Sequence, residues 1–216
     1  MQQLSSQQYQ AMRDGAEVIE RDHSGDKVLR LRDRTFLKLF EVKSFFSSAL
    51  LLPYSVRFAR NAERLHRLGV PTVEIKECYR IASIKRTAVH YQPLPGQTLR
   101  QALADMGPAQ KSELTERNAR FIARLHDLGV YFRSLHMGNI LLQPDGTLGL
   151  IDVADMRFYR RGLNKTLRLR NFRHMARYRV DVEHLLEDDT FCSVYADLAG
   201  LDVEQVVSVI RSVKGR

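Results

Sequence analysis

The sequence predicts an α+β protein of two lobes, strand-rich at its start and mainly helical after a break near residue 93. Three observations predict it. Strand-like segments cluster before residue 92, with one amphipathic helix among them. The run Tyr91-Gln92-Pro93-Leu94-Pro95-Gly96-Gln97 then breaks the pattern with two prolines and a glycine, which neither a central strand nor a helix interior holds. Beyond it the apolar residues fall at helical spacing. Strands segregated from helices are the mark of α+β organisation, and the break divides a first lobe, 1–92, from a second, 93–216.

Residues 17–20 and 27–32 flank His23-Ser24-Gly25-Asp26, a turn-forming cluster between two strands. Residues 34–40 alternate like a third strand. A helix is predicted over 54–68, because Phe58, Ala62, Leu65 and Leu68 share a face and Gly69 with Pro71 ends it. Residues 72–75 and 86–91 read as further strands. After the break, Thr98 can cap a helix over 99–104. A longer helix over 111–128 carries Leu114, Ala119, Ile122, Ala123 and Leu125 and stops at Gly129. The tail from Asp181 is helical, with Val182, Leu185 and Leu186 on one side.

With 216 residues, 44% of them hydrophobic and 27% charged, the chain has the balance of a globular protein large enough for two small lobes. No run of about 18 apolar residues is present, so no membrane span is expected. The N-terminus has neither a basic nor an apolar signal region, so no signal peptide is expected. Cys78 and Cys192 match no metal-ligand spacing and read as reduced packing thiols of a cytoplasmic protein.

Residues 139–152 read as a β-hairpin. Pro144-Asp145-Gly146 supplies the turn and aliphatic residues fill both arms. A hairpin brings its ends together, here Asn139 and Asp152. An amide oxygen and a carboxylate converging at one edge make a hard-oxygen site suited to Mg²⁺.

At this point a resemblance becomes specific. Leu125-His126-Asp127-Leu128-Gly129, then Gly138-Asn139-Ile140-Leu141, then Ile151-Asp152 resemble the protein-kinase-like superfamily in order and in the 13-residue step from Asn139 to Asp152 (152 − 139). Within it the pattern is most similar to the bacterial lipopolysaccharide core kinases (Kdo and heptose kinases) and the related toluene-tolerance proteins. The resemblance implies a bilobal protein-kinase-like fold with a shortened helical lobe, and ATP and Mg²⁺ as cofactors. It implies that Asn139 and Asp152 hold the metal, that Lys38 contacts the α/β-phosphates, and that Glu63 is its ion-pair partner. Tyr91 and Gln92 would line the adenine side through backbone groups. The 23–26 turn stands where a phosphate loop would be, but its single glycine gives little support for close backbone approach.

One position departs from the pattern. Counting back from Asn139, the catalytic aspartate falls at Ser134 and the preceding histidine at Phe132, while Arg133 keeps the arginine between them. Serine cannot act unaided as the base that accepts the substrate hydroxyl proton. Three outcomes stay open: a pseudokinase that binds nucleotide or a partner without turnover, a substitute base at His136 or Asp155, or a transfer that depends mainly on positioning and charge.

The formal net charge is +9, and it is unevenly spread. Residues 156–180 contain no acid but eight arginines and one lysine. Arg157, Arg160, Arg161, Lys165 and Arg168 lie first, directly after the metal-binding hairpin, and are the candidate substrate- and anion-binding residues. Such a block attracts an anionic glycolipid or the inner-membrane surface, and arginine favours bidentate phosphate recognition. A nucleic-acid partner lacks support: no helix-turn-helix, zinc or aromatic RNA-binding signature is present. Together these readings predict a cytoplasmic phosphotransferase, peripheral at the inner membrane, acting on a sugar hydroxyl of lipopolysaccharide core or a similar glycolipid.

Overall fold

Ser5 starts the first helix. Its hydroxyl accepts from the Gln8 N–H (3.2 Å) while the Gln8 side chain accepts from the Ser5 N–H (2.9 Å), a capping box. The resulting α1 (Ser6–Arg13) is not among the sequence expectations. The computed structural model describes residues 1–23, 25–42 and 52–213, and the chain forms two compact units, Met1–Leu94 and Pro95–Arg216.

The first unit is a six-stranded sheet. Its strands are β1 (Gln2–Gln3), β2 (Glu17–Asp22), β3 (Gly25–Arg30), β4 (Phe36–Glu41), β5 (Glu74–Ile81) and β6 (Arg86–Gln92), in the order β1-β5-β6-β4-β3-β2. β1 runs parallel to β5 and the other pairs are antiparallel. Leu29, Leu37, Leu39, Ile81 and Ala88 join Leu4 and Tyr9 in one buried cluster. On β4 the alternation of strand side chains turns Lys38 away from Leu37 and Leu39. Helix α2 (Tyr54–Arg67) buries Phe58, Ala59, Ala62 and Leu65. β5 runs farther than the expected 72–75 because, among the described residues, its other neighbour is the two-residue β1. A nearly open edge tolerates the charged residues that made this segment read weakly. Ser24, at the tip of the predicted 23–26 turn, lies outside the described residues.

The second unit begins with β7 (Gln97–Thr98), which joins β9 (Ile140–Leu142) and β10 (Leu148–Leu150) in a three-stranded sheet. Gly96 makes this pairing possible: its φ is +130° and a Cβ there would stand 2.2 Å from the Leu142 carbonyl oxygen. Helix α3 (Leu99–Asp105) is capped by Thr98, as its sequence predicts. Helix α4 (Pro108–Asp127) starts three residues before the expected 111, because Pro108 at the first turn lacks the N–H that would go unpaired there. β8 (Val130–Phe132) pairs antiparallel with β11 (Met156–Phe158). Helices α5 (Lys165–Met175), α6 (Arg179–Leu185), α7 (Thr190–Ala199) and α8 (Val203–Arg211) follow. Phe172, Phe191 and Tyr195 are fully buried, with the Phe172 and Tyr195 rings edge-on at 4.6 Å. Each such side chain contributes ~1.5–3 kcal/mol of burial. Both cysteines are free, and burial pushes the Cys192 thiol up to about 11.

Candidate active site

Two backbone contacts bring the second unit's candidate residues together. The Arg133 N–H donates to the Asp155 carbonyl (3.0 Å), and the Ile151 N–H donates to the Asn139 carbonyl (3.0 Å). The first extends the β8–β11 ladder and the second closes the β9–β10 hairpin, whose register pairs Leu150 with Ile140. Between these clamps lie residues 133–139 on one side and 151–155 on the other. Ser134, Asn139, Asp152 and Asp155 therefore share one small region; the hairpin argument joins only Asn139 and Asp152, and the Arg133–Asp155 contact adds the other two.

Asn139 is buried, and its side-chain amide donates to the Ser134 carbonyl at 2.8 Å. That bond fixes the orientation of the amide and leaves Oδ1 as its oxygen donor. Asp152 is in the left-handed backbone region, with φ 55°. A non-glycine residue held there costs of order 1–3 kcal/mol, and such strain clusters at functional sites. The two positions fit a magnesium ion: one amide oxygen and one carboxylate, with phosphates and water supplying the rest. Among the described residues no group of three or more His, Cys, Asp or Glu could hold a metal, and a metal held largely by its substrate needs none.

His136 is half-buried, edge-on to Tyr178 at 5.0 Å, and its Nδ1 is a buried atom with no hydrogen-bond partner. Burial, with Arg100 and Arg177 nearby, lowers its pKa against the pull of Asp181 and Asp152. Its imidazole is thus neutral at pH 7 and can accept a proton. Asp155 places a carboxylate oxygen 3.6 Å from the Arg133 guanidinium.

Sequence reasoning missed the groups that hold this loop. Asp181 is fully buried on α6. It takes both Arg100 Nε (2.7 Å) and Nη2 (2.9 Å), and also accepts the Met137 N–H (3.1 Å). The Arg100 guanidinium lies over the Tyr178 ring at 4.7 Å. The only sequence signal was position: Asp181 is the first acid after the 156–180 run.

A second network braces β8 from behind. Asn171 on α5 donates from Nδ2 to the Phe132 carbonyl (2.7 Å), and its Oδ1 accepts the Phe132 N–H (3.2 Å). The backbone thereby fixes the amide's orientation. His126 Nε2, 3.2 Å from that Oδ1, must carry its proton, so Nδ1 accepts from the Tyr195 hydroxyl at 2.6 Å. Complete burial lowers the His126 pKa to about 3, and burial raises that of Tyr195 to about 12.

In the first unit, Lys38 is buried on β4, its ammonium 5.9 Å from the Phe40 ring and 6.0 Å from that of Phe58. Glu63 is exposed on α2, and its charge reaches Cys78. The Tyr91 ring is a packing group, against Phe36 (5.8 Å) and Phe58 (5.5 Å). The β4 register ends at Tyr91, while Gln92 pairs only with Glu74 of β5. The described part of the 23–26 turn is held by ion pairs, Asp26 with Arg13 (2.7 Å) and Arg21 (3.0 Å).

The basic candidates divide. Arg157, Arg160, Arg161 and Lys165 are exposed. Arg168 instead turns inward, donating to the Leu163 carbonyl (2.8 Å) and to Asp127 (2.5 Å), so the fold itself occupies this arginine.

The sequence model of the Lipopolysaccharide kinase (Kdo/WaaP) family matches residues 10–195. The chain belongs to that family. A search of curated proteins finds no match. Membership in the lipopolysaccharide kinases indicates kinase activity, with nucleotide use and, as is usual for kinases, a divalent metal. The match spans both units, from α1 to α7, and so covers Lys38, the hairpin and the whole basic segment. Among the described residues no helix is long and apolar enough to cross a membrane.

Proposed function

We propose that this family member is an ATP- and Mg²⁺-dependent phosphotransferase that acts on a sugar hydroxyl of lipopolysaccharide core, or of a similar anionic glycolipid, at the cytoplasmic face of the inner membrane. The observation that carries this reading is the clamped pair Asn139 and Asp152, with the Asp152 backbone held in the left-handed region. Held by Asn139 Oδ1 and the Asp152 carboxylate, Mg²⁺ would neutralise phosphate charge. Lys38 would meet the α/β-phosphates, with Glu63 orienting it and the backbone at Tyr91 receiving the base. The acceptor oxygen bonds to the γ-phosphorus as the bond to the β-phosphate oxygen breaks, and the hydroxyl proton leaves.

Ser134 stands where the base would be, so the proton goes elsewhere. His136 is the better stand-in, because burial keeps its imidazole in the accepting form. Asp155 already faces Arg133. General-base assistance is worth about 10²–10⁴-fold. A loss of that size in His136→Gln or Asp155→Asn assigns the base, and no loss in either leaves positioning alone.

Ser134 also favours a second reading, a pseudokinase that binds nucleotide or a partner without turnover. Thermal stabilisation by ATP with and without Mg²⁺, followed by ³²P transfer to core lipopolysaccharide, separates the two. The enzyme reading expects transfer above that of Asp152→Ala. Mg²⁺-dependent binding with transfer equal to that variant establishes the pseudokinase, and no nucleotide stabilisation overturns both.

A further inference from the structure

A recess lined in part by Arg133 lies beside the Ser134 loop. It is ≈ 250 Å³ in volume and is lined by Tyr131, Arg133, Arg157, Tyr159, Arg170 and His174, with Leu167 as an apolar wall. That volume is below the roughly 300–1,000 Å³ of drug-sized ligand sites and suits a compact group. Its floor is the β8–β11 ladder, in which Arg157 is the register partner of Tyr131, so both side chains rise from one face. Arg170 and His174 are one helical turn apart on α5 and close the opposite side.

The chemistry of the lining is one-sided. Three guanidiniums converge, and among the lining residues there is no carboxylate. Asp155, just outside, stands 3.6 Å from Arg133 and offsets part of that charge. Among the described residues Arg157 and Arg170 have no ion-pair partner. The Tyr131 hydroxyl, on a buried ring, is 3.1 Å from His174 Nε2. Burial lowers the His174 pKa, and Arg133, Arg177 and Arg170 lower it further against Asp155. Crowding three like charges around a half-buried imidazole costs free energy that a bound dianion would return. Planar guanidiniums converging from two elements suit the bidentate geometry of phosphate oxygens.

We propose that this recess is a phosphate-binding subsite, taking a phosphomonoester or phosphate itself, with Arg133, Arg157 and Arg170 as the clamp and the Tyr131–His174 pair as further hydrogen-bonding partners. Arg133 is the residue next to Ser134, so a phosphomonoester seated here tethers its carrier beside the catalytic loop. That the carrier is the acceptor, already phosphorylated at another position, rests on the kinase reading above. The subsite itself does not.

The test uses the full chain without nucleotide. Affinity for inorganic phosphate and for glucose 6-phosphate is measured by NMR shifts of the His174 imidazole and by thermal stabilisation, at ionic strength matched with NaCl and with glucose as control. Phosphate and glucose 6-phosphate are expected to bind and to move the His174 signals, while glucose does not. Arg157→Ala and Arg170→Ala each weaken binding at least tenfold, whereas Arg173→Ala, exposed on the same helix and outside the recess, does not. Arg157→Gln serves as second variant if Arg157→Ala fails to fold.

Equal affinity in all variants, or equal loss in Arg173→Ala, overturns the subsite. Binding of phosphate without glucose 6-phosphate assigns the free anion and removes the tether. Transfer to lipopolysaccharide that is absent while phosphate binding persists overturns the kinase reading and leaves the subsite standing.

Discussion

Replacing Asp181 with alanine tests whether the 133–139 loop is held by the buried carboxylate. Asp181 is fully buried and accepts three hydrogen bonds, two from Arg100 and one from the Met137 N–H. Removing one partner of a buried ion pair costs about 3–5 kcal/mol. The Arg100 side chain is 31% exposed, so its charge can turn partly to water, but the Met137 N–H cannot. The expected loss is therefore near the lower bound, about 3 kcal/mol. At about 2–4 °C per kcal/mol for a chain of this size, the melting temperature falls by roughly 6–12 °C. Urea denaturation followed by circular dichroism gives the free energy, and ATP–Mg²⁺ stabilisation gives the effect on the loop. The double replacement Arg100→Met/Asp181→Leu removes both charges and recovers part of the loss, since apolar groups of similar volume often replace a buried pair at little cost. A loss under about 1 kcal/mol for Asp181→Ala, or a double variant no more stable than the single one, refutes the reasoning.

Stability is expected to decline in mild acid. The His126 pKa is about 6.5 in the unfolded chain and is lowered by burial to about 3 in the fold. Between those values the unfolded chain binds the extra proton, so stability is full above pH 6.5 and falls toward 3, by up to about 1.4 kcal/mol per pH unit. The lowered His136 and His174 act in the same direction. Urea midpoints at pH 7.5, 6.0 and 5.0 measure this, and a flat profile contradicts it. Asn171→Ala strips acceptors from His126 Nε2–H and the Phe132 N–H and a donor from the Phe132 carbonyl. Its expected cost is about 2–4 kcal/mol, read as a lower urea midpoint, and an unchanged midpoint contradicts it. Gly129→Ala puts a Cβ 2.5 Å from the Tyr159 carbonyl oxygen and 2.7 Å from that of Arg161, at φ +76°. A melting temperature within a degree of wild type would show that this turn yields where close packing says it cannot.

The parts of the fold legible in the sequence were those with local causes. Alternation placed β3 and β4, spacing placed α2, the Thr98 cap placed α3, and Pro144-Asp145-Gly146 placed the hairpin that joins Asn139 to Asp152. What escaped had causes distant in the chain. β8 and β11 are three residues each and are strands only because they pair across 24 positions (156 − 132). Arg100 and Asp181 meet across 81 residues. Helix α5 was hidden by charge: its arginines read as an anion-binding block, while the residues that anchor it are Asn171, Phe172 and Met175. Helix α1 was within reach, since Ser5 and Gln8 form a capping box and Tyr9 and Met12 recur at helical spacing. Among the basic candidates, composition could not tell the inward Arg168 from the open Arg157.

The Asn171 amide has a consequence for motion. It is a single side chain bonded to both the carbonyl and the N–H of Phe132, two residues before Ser134. Helix α5 therefore cannot peel away without stripping the strand that leads into the Ser134 loop and exposing a histidine that resists protonation. Opening of the basic helix and loosening of the loop belong to one cooperative event, so the Phe132 amide proton and the α5 amide protons will exchange with solvent in the same class. A ligand that presses on α5 reaches Ser134 through the backbone of one residue.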